Sequence, residues 1–94
     1  MPYERGVSSF SGLMKEARVL DEDSGIRLTG ILGGQKCLVF VTRFGHRYTM
    51  MTYSVKAGTG TPDRRLETIE LDGPGALARA LRTVVGARVR AYIY

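Results

Sequence analysis

The pair Gly33-Gly34 limits the possible folds more than any other feature of this chain. It separates two runs rich in β-branched and aliphatic residues, Ile26 to Leu32 and Gln35 to Phe44. Two consecutive residues that accept positive φ without steric cost suit a two-residue hairpin turn, whose twist matches that of paired strands. A β-hairpin is therefore expected here. Gly45-His46 predicts a second turn that returns the chain through Arg47 to Val55, giving an antiparallel meander. Lys56 to Pro62 offers no apolar face and reads as a flexible loop, after which Arg64 to Leu71 resumes strand composition. Upstream, Phe10 to Leu20 is expected as an edge strand, followed by an acidic turn over Asp21 to Gly25.

One helix is predicted. It begins near Asp72-Gly73-Pro74, where Asp72 or Gly73 can cap and Pro74 fits the first turn. Leu77, Ala80, Leu81, Val84 and Val85 recur at helical spacing, so their stripe should lie on the sheet, and Gly86 is a suitable stop. Ala87 to Tyr94 then forms either a last strand or a continuation of the helix. The 94 residues allow one hydrophobic core and not two. The expectation is one α+β domain over residues 1–94: a curved antiparallel sheet of four to six strands with one packing helix near the C-terminus, and residues 1–9 flexible.

Strand alternation assigns the faces. Ile26, Leu28, Leu32, Cys37, Val39, Val41 and Met50 make an aliphatic set suited to the core. Arg27, Thr29, Ile31, Lys36, Leu38, Phe40, Phe44, Arg47, Thr49, Met51 and Tyr53 share the other face, where cations, hydroxyls and rings mix. In the C-terminal segment, read as a strand, Arg88, Arg90, Tyr92 and Tyr94 fall on one side.

Charge distribution adds a direction. The net charge is +5, and all 9 acids lie within Glu4 to Asp23 and Asp63 to Asp72. Ser24 to Pro62 and Gly73 to Tyr94 hold cations with no carboxylate between them, which favours an anionic partner. Rings supply stacking for bases at about 1–3 kcal/mol each, while cations neutralise phosphates. Phe44 and Tyr53 are candidate platforms, with Tyr48 as a third. Leu38, Phe40 and Met51 have a competing reading as a second core or a dimer interface.

Catalysis finds little support. His46 is the single histidine and Cys37 the single cysteine, which rules out a paired-histidine mechanism and a cysteine cluster for zinc. Neither Gly30 to Gly34 nor Gly58-Thr59-Gly60 precedes a helix that could hold a phosphate at its N-terminus. No enzyme, cofactor or metal is expected, and no small-molecule substrate. The chain has no apolar run of spanning length and no signal-peptide pattern, so an intracellular protein, cytoplasmic or on the nucleoid, is expected.

Two segments resemble a known family. Leu38-Val39-Phe40-Val41-Thr42-Arg43-Phe44-Gly45-His46-Arg47 is similar to the strand, aromatic, glycine turn and basic residue of the PC4-like transcriptional coactivators. Thr61-Pro62-Asp63-Arg64-Arg65-Leu66-Glu67-Thr68-Ile69-Glu70-Leu71 resembles their proline and basic pair ahead of the strand that leads into the helix. The chain departs from that family in having no tryptophan. The resemblance implies a homodimeric single-stranded DNA binder with contacts at Arg43, Phe44, Arg47, Tyr53, Arg64 and Arg65. Together with the basic pattern, the expected nucleic-acid-binding set is Arg27, Lys36, Arg43, Phe44, Arg47, Tyr53, Lys56, Arg64, Arg65, Arg88 and Arg90. The function expected is binding of single-stranded DNA or RNA with low sequence specificity, in transcription, replication or genome protection. The alternative is a non-catalytic protein-interaction or dimerisation module, and duplex packaging is a third possibility.

Overall fold

A computed structural model describes residues 5–85 and 89–94 of the chain. The order is β1 (Arg5–Val7), α1 (Phe10–Arg18), β2 (Gly25–Leu32), β3 (Gln35–Phe44), β4 (Arg47–Val55), β5 (Pro62–Asp72), α2 (Gly73–Arg82) and β6 (Ala91–Ile93). The strands form one open sheet in the order β1-β6-β2-β3-β4-β5, with each neighbouring pair antiparallel. The α+β class and the antiparallel sheet are as the sequence predicts.

Turn chemistry accounts for the meander. Gly33 and Gly34 both take positive φ, 60° and 82°, between Leu32 and its partner Gln35. At the next turn only Gly45 does so, with φ 63°. The loop after β4 is tighter than its composition suggests. The Lys56 amide donates to the Thr61 carbonyl at 2.8 Å, and the Gly60 amide donates back to the Lys56 carbonyl at 3.1 Å.

Phe10 to Leu20 is not an edge strand. Its apolar residues Leu13, Met14, Ala17 and Leu20 are all buried and fall on one side of a helical wheel, a spacing that strand alternation would split between two faces. Ser9 caps α1, its Oγ accepting from the Gly12 amide at 3.1 Å, and Lys15 and Arg18 fill the last turn, where cations suit the helix dipole. The sheet therefore carries two packing helices. Within residues 1–9, expected to be flexible, Arg5–Val7 pairs with β6.

Both helices lie on one face. Leu13, Met14 and Ala17 of α1 and Leu77 and Leu81 of α2 pack with Ile26, Leu28, Cys37, Val39, Val41, Tyr48, Met50 and Ala91 of the sheet. Leu32, assigned to this face by alternation, is 39% exposed because it sits at the hairpin end of β2. Gly30 marks a close backbone approach in the core. A Cβ there would lie 2.6 Å from the Val84 carbonyl oxygen, and that carbonyl accepts from the Ile31 amide at 2.7 Å. α2 ends at Arg82, yet Val84 remains buried. The expected stop at Gly86 and the beginning of the last segment, Ala87 and Arg88, lie outside the described residues. β6 then establishes the strand reading for Ala91–Ile93.

Candidate nucleic-acid interface

The helices leave the second face of the sheet uncovered, and the pairing registers order its side chains into transverse rows. One row crosses all six strands as Gly6, Tyr92, Arg27, Phe40, Met51 and Thr68. The next row runs Thr29, Leu38, Tyr53 and Arg65, with the Arg90 carbonyl accepting from the Thr29 amide at 3.2 Å. Towards the β3–β4 turn, Phe44 faces Arg47, and at the opposite end Lys36 faces Ile31. Every residue assigned to this face by alternation in β2, β3 and β4 is found on it.

Rings and cations on this face are in contact with one another. The Arg27 guanidinium lies 5.2 Å from the centroid of the Tyr92 ring, within cation–π range. Phe40 and Tyr53 meet edge to face, with centroids 5.6 Å apart. Tyr94 covers Gly25, where a Cβ would come within 2.6 Å of its ring, so this glycine makes room for a further aromatic. Phe44, 78% exposed, projects at the end of β3.

A cleft of about 290 Å³ opens in the middle of the face, lined by Arg27, Thr29, Leu38, Phe40, Tyr92 and the Gly60–Pro62 turn. Among the described residues no carboxylate lines it. Its walls are a ring, a guanidinium and a second ring, and its rim carries two hydroxyls. Such a cleft can hold a flat, polar-edged group and attract the negative charge attached to it.

The proposed binding residues divide by position. Arg27, Lys36, Phe44, Arg47 and Tyr53 share the open face. Arg65 joins them opposite Tyr53, while exposed Arg64 exchanges backbone contacts with the Ser54 hydroxyl at the β4–β5 irregularity. Lys56 opens the β4–β5 loop, and Arg90 lies exposed just ahead of β6. Arg88 lies outside the described residues.

Arg43 and Tyr48 belong to the other side. Tyr48 is 1% exposed, and its hydroxyl donates to the Ala17 carbonyl at 2.5 Å, which ties β4 to the C-terminal end of α1. It cannot serve as a stacking platform in this fold. Arg43 stands opposite Tyr48 with its guanidinium 5.6 Å from that ring, and it donates to the Arg18 carbonyl at 2.7 Å and the Gly45 carbonyl at 2.6 Å. Its charge thus closes the end of α1. Tyr92 and Tyr94 lie outside the expected binding set, although reading the C-terminal segment as a strand already puts them on one side with Arg90.

Among the described residues, acids enter the open face at β5, where Glu70 stands opposite Thr49 and Asp72 opposite Arg47. The Asp72 carboxylate lies 3.7 Å from His46 Nε2. Cys37 is buried, and burial pushes its thiol pKa up, with the Gly30 backbone hydrogen bond opposing this. Among the described residues no cluster of histidine, cysteine and carboxylate side chains is placed to hold a metal ion, and no helix is long and apolar enough to cross a membrane. No protein-family model matches this chain, nor does any curated protein or solved structure.

Proposed function

We propose that this protein binds single-stranded nucleic acid across the open face of its sheet. The observation that carries the reading is the row Tyr92, Arg27, Phe40 and Met51, which alternates stacking surface and cation and crosses the cleft under the Gly60–Pro62 turn. Bases stacked on rings and phosphates held by guanidinium groups are how non-specific single-strand binders divide the work. Duplex DNA keeps its bases stacked inside the helix, so it could use the cations but not the rings.

The dimensions set a footprint. Strands lie about 4.8 Å apart, so the row from β6 to β5 spans about 19 Å. This favours a site at the short end of the range, about 4 nucleotides per domain. A non-catalytic role in transcription, replication or genome protection follows from this reading. The resemblance of the Leu38–Arg47 and Thr61–Leu71 segments to the PC4-like coactivators supports it.

A second reading has its own observation: Leu38, Phe40 and Met51 are half-buried apolar side chains on a face that, among the described residues, no helix covers. A protein partner or a second copy would bury them. Fluorescence anisotropy with labelled single-stranded and duplex oligonucleotides tests the first reading, using Phe44→Ala and Tyr92→Ala. Preference for the single strand, weakened by both substitutions with oligomeric state unchanged, is expected. No binding at low salt would overturn the proposal, and a changed oligomeric state in both variants would transfer the face to the second reading.

A further inference from the structure

The two edges of the sheet are unequal. β1 offers 3 residues and β5 offers 11. An unpaired edge presents N–H and C=O groups that template another strand, and native proteins shorten, bulge or cover it to prevent this. Among the described residues the β1 edge is too short to template a long strand. β5 is protected only at its start, by Pro62 and by the register shifts opposite Thr52 to Val55, whereas its ladder to β4 is regular from Glu67 to Asp72. The Gly73 amide donates inward to the His46 carbonyl at 2.9 Å. Backbone alternation then turns the N–H and C=O groups of Asp72, Glu70 and Thr68 outward.

Side chains along this edge are sorted by charge. Arg64 and Arg65 stand near its start and Glu67, Glu70 and Asp72 towards its end, all of them exposed. A second β5 laid antiparallel would bring its basic end against the acidic end of the first, and the reverse, while a parallel strand would set like charges together. Such an arrangement is isologous, as expected of a two-fold dimer. It also extends the lip of the core, where Ile69 and Leu71 are half-buried and Leu66 is 49% exposed.

We propose that two copies of this chain pair antiparallel through β5, centred near Thr68, and join their sheets into one. The two-fold axis stands perpendicular to the sheet, so both open faces point the same way and form a single surface. This does not depend on what the face binds.

Light scattering coupled to size exclusion, across a dilution series from micromolar to submillimolar, tests it. The wild type should show a mass twice the 10.4 kDa of the chain. Thr68→Pro removes an outward donor and leaves the ladder to β4 intact, so it should give a monomer with an unchanged circular dichroism spectrum. As a second test, Arg64→Glu/Arg65→Glu and Glu70→Lys/Asp72→Lys should each self-associate about tenfold or more weakly, and mixing them should restore the dimer. A wild type monomeric throughout, a dimer that survives Thr68→Pro, or charge-reversed variants that dimerise as well alone as mixed would overturn the proposal.

Discussion

If the open face binds single strands through its cations, the salt dependence of binding follows from the structure. Arg27, Lys36, Arg47, Arg65 and Arg90 are the cations that the registers and the Thr29 contact place on or beside that face. A single strand releases counterions with a slope of about −0.7 per neutralised phosphate, so these five predict a log–log slope near −3.5. Raising salt from about 50 to about 200 mM should then weaken binding about 100-fold. Lys36→Ala or Arg27→Ala should each reduce the slope by about 0.7. Arg79→Ala is the control, because Arg79 lies exposed on α2, on the helix-covered side. Anisotropy titrations of a short labelled oligonucleotide at four or more salt concentrations give the slopes directly. A wild-type slope shallower than −1, or an equal change from Arg79→Ala and Lys36→Ala, would refute the assignment of binding to this face.

Three further outcomes concern the scaffold. Gly30→Ala sets a Cβ 2.6 Å from the rigid Val84 carbonyl, whereas at Gly75 of α2 nothing lies within 4 Å; urea unfolding should show the first variant destabilised by about 1–3 kcal/mol and the second stabilised by about 0.5–1 kcal/mol. Tyr48→Phe removes the hydroxyl that donates to Ala17, but that carbonyl also accepts from the Leu20 amide at 3.4 Å. The loss should therefore be about 1 kcal/mol, read as a fall of about 4–8 °C in Tm. Cys37, buried and with its thiol pKa raised by burial, should resist a thiol-specific reagent in the native state and react at the rate of unfolding. Rapid native labelling would show that the core opens locally at β3.

Where a glycine turn fixes a hairpin, the sequence constrains far more than the turn. Placing Gly33-Gly34 and Gly45 sets the pleat, and the pleat sorts β2, β3 and β4 correctly except at Leu32, where the core stops short of the strand. Arg43 and Tyr48 illustrate the same rule. Each is the immediate neighbour of an open-face residue, Phe44 or Arg47, so alternation alone assigns them to the helix side, against their place among the candidate contacts. α1 was missed for the opposite reason, because a segment with Ser8, Ser9 and Gly12 near its start looks like turn and strand until Leu13, Met14, Ala17 and Leu20 are read at helical spacing. β1 was beyond reach, since 3 residues carry no period and gain their conformation from β6.

The acids of β5 bear on both proposals. Glu70 and Asp72 stand on the open face at its margin, where they would repel a phosphate backbone, and their presence there weakens any account in which nucleic acid is the sole determinant of the surface. Edge pairing gives them another use, because in the antiparallel arrangement they face the Arg64–Arg65 end of the second copy. The strand path would then run over Tyr92, Arg27 and Phe40 and turn away before the acidic end of β5. Removing those charges should therefore affect the two properties in opposite directions. Glu70→Gln should tighten oligonucleotide binding modestly through the loss of a repulsive charge, while weakening the association of two chains. If it weakens both together, the edge and the face are a single nucleic-acid site, and the division of labour drawn from the registers is wrong.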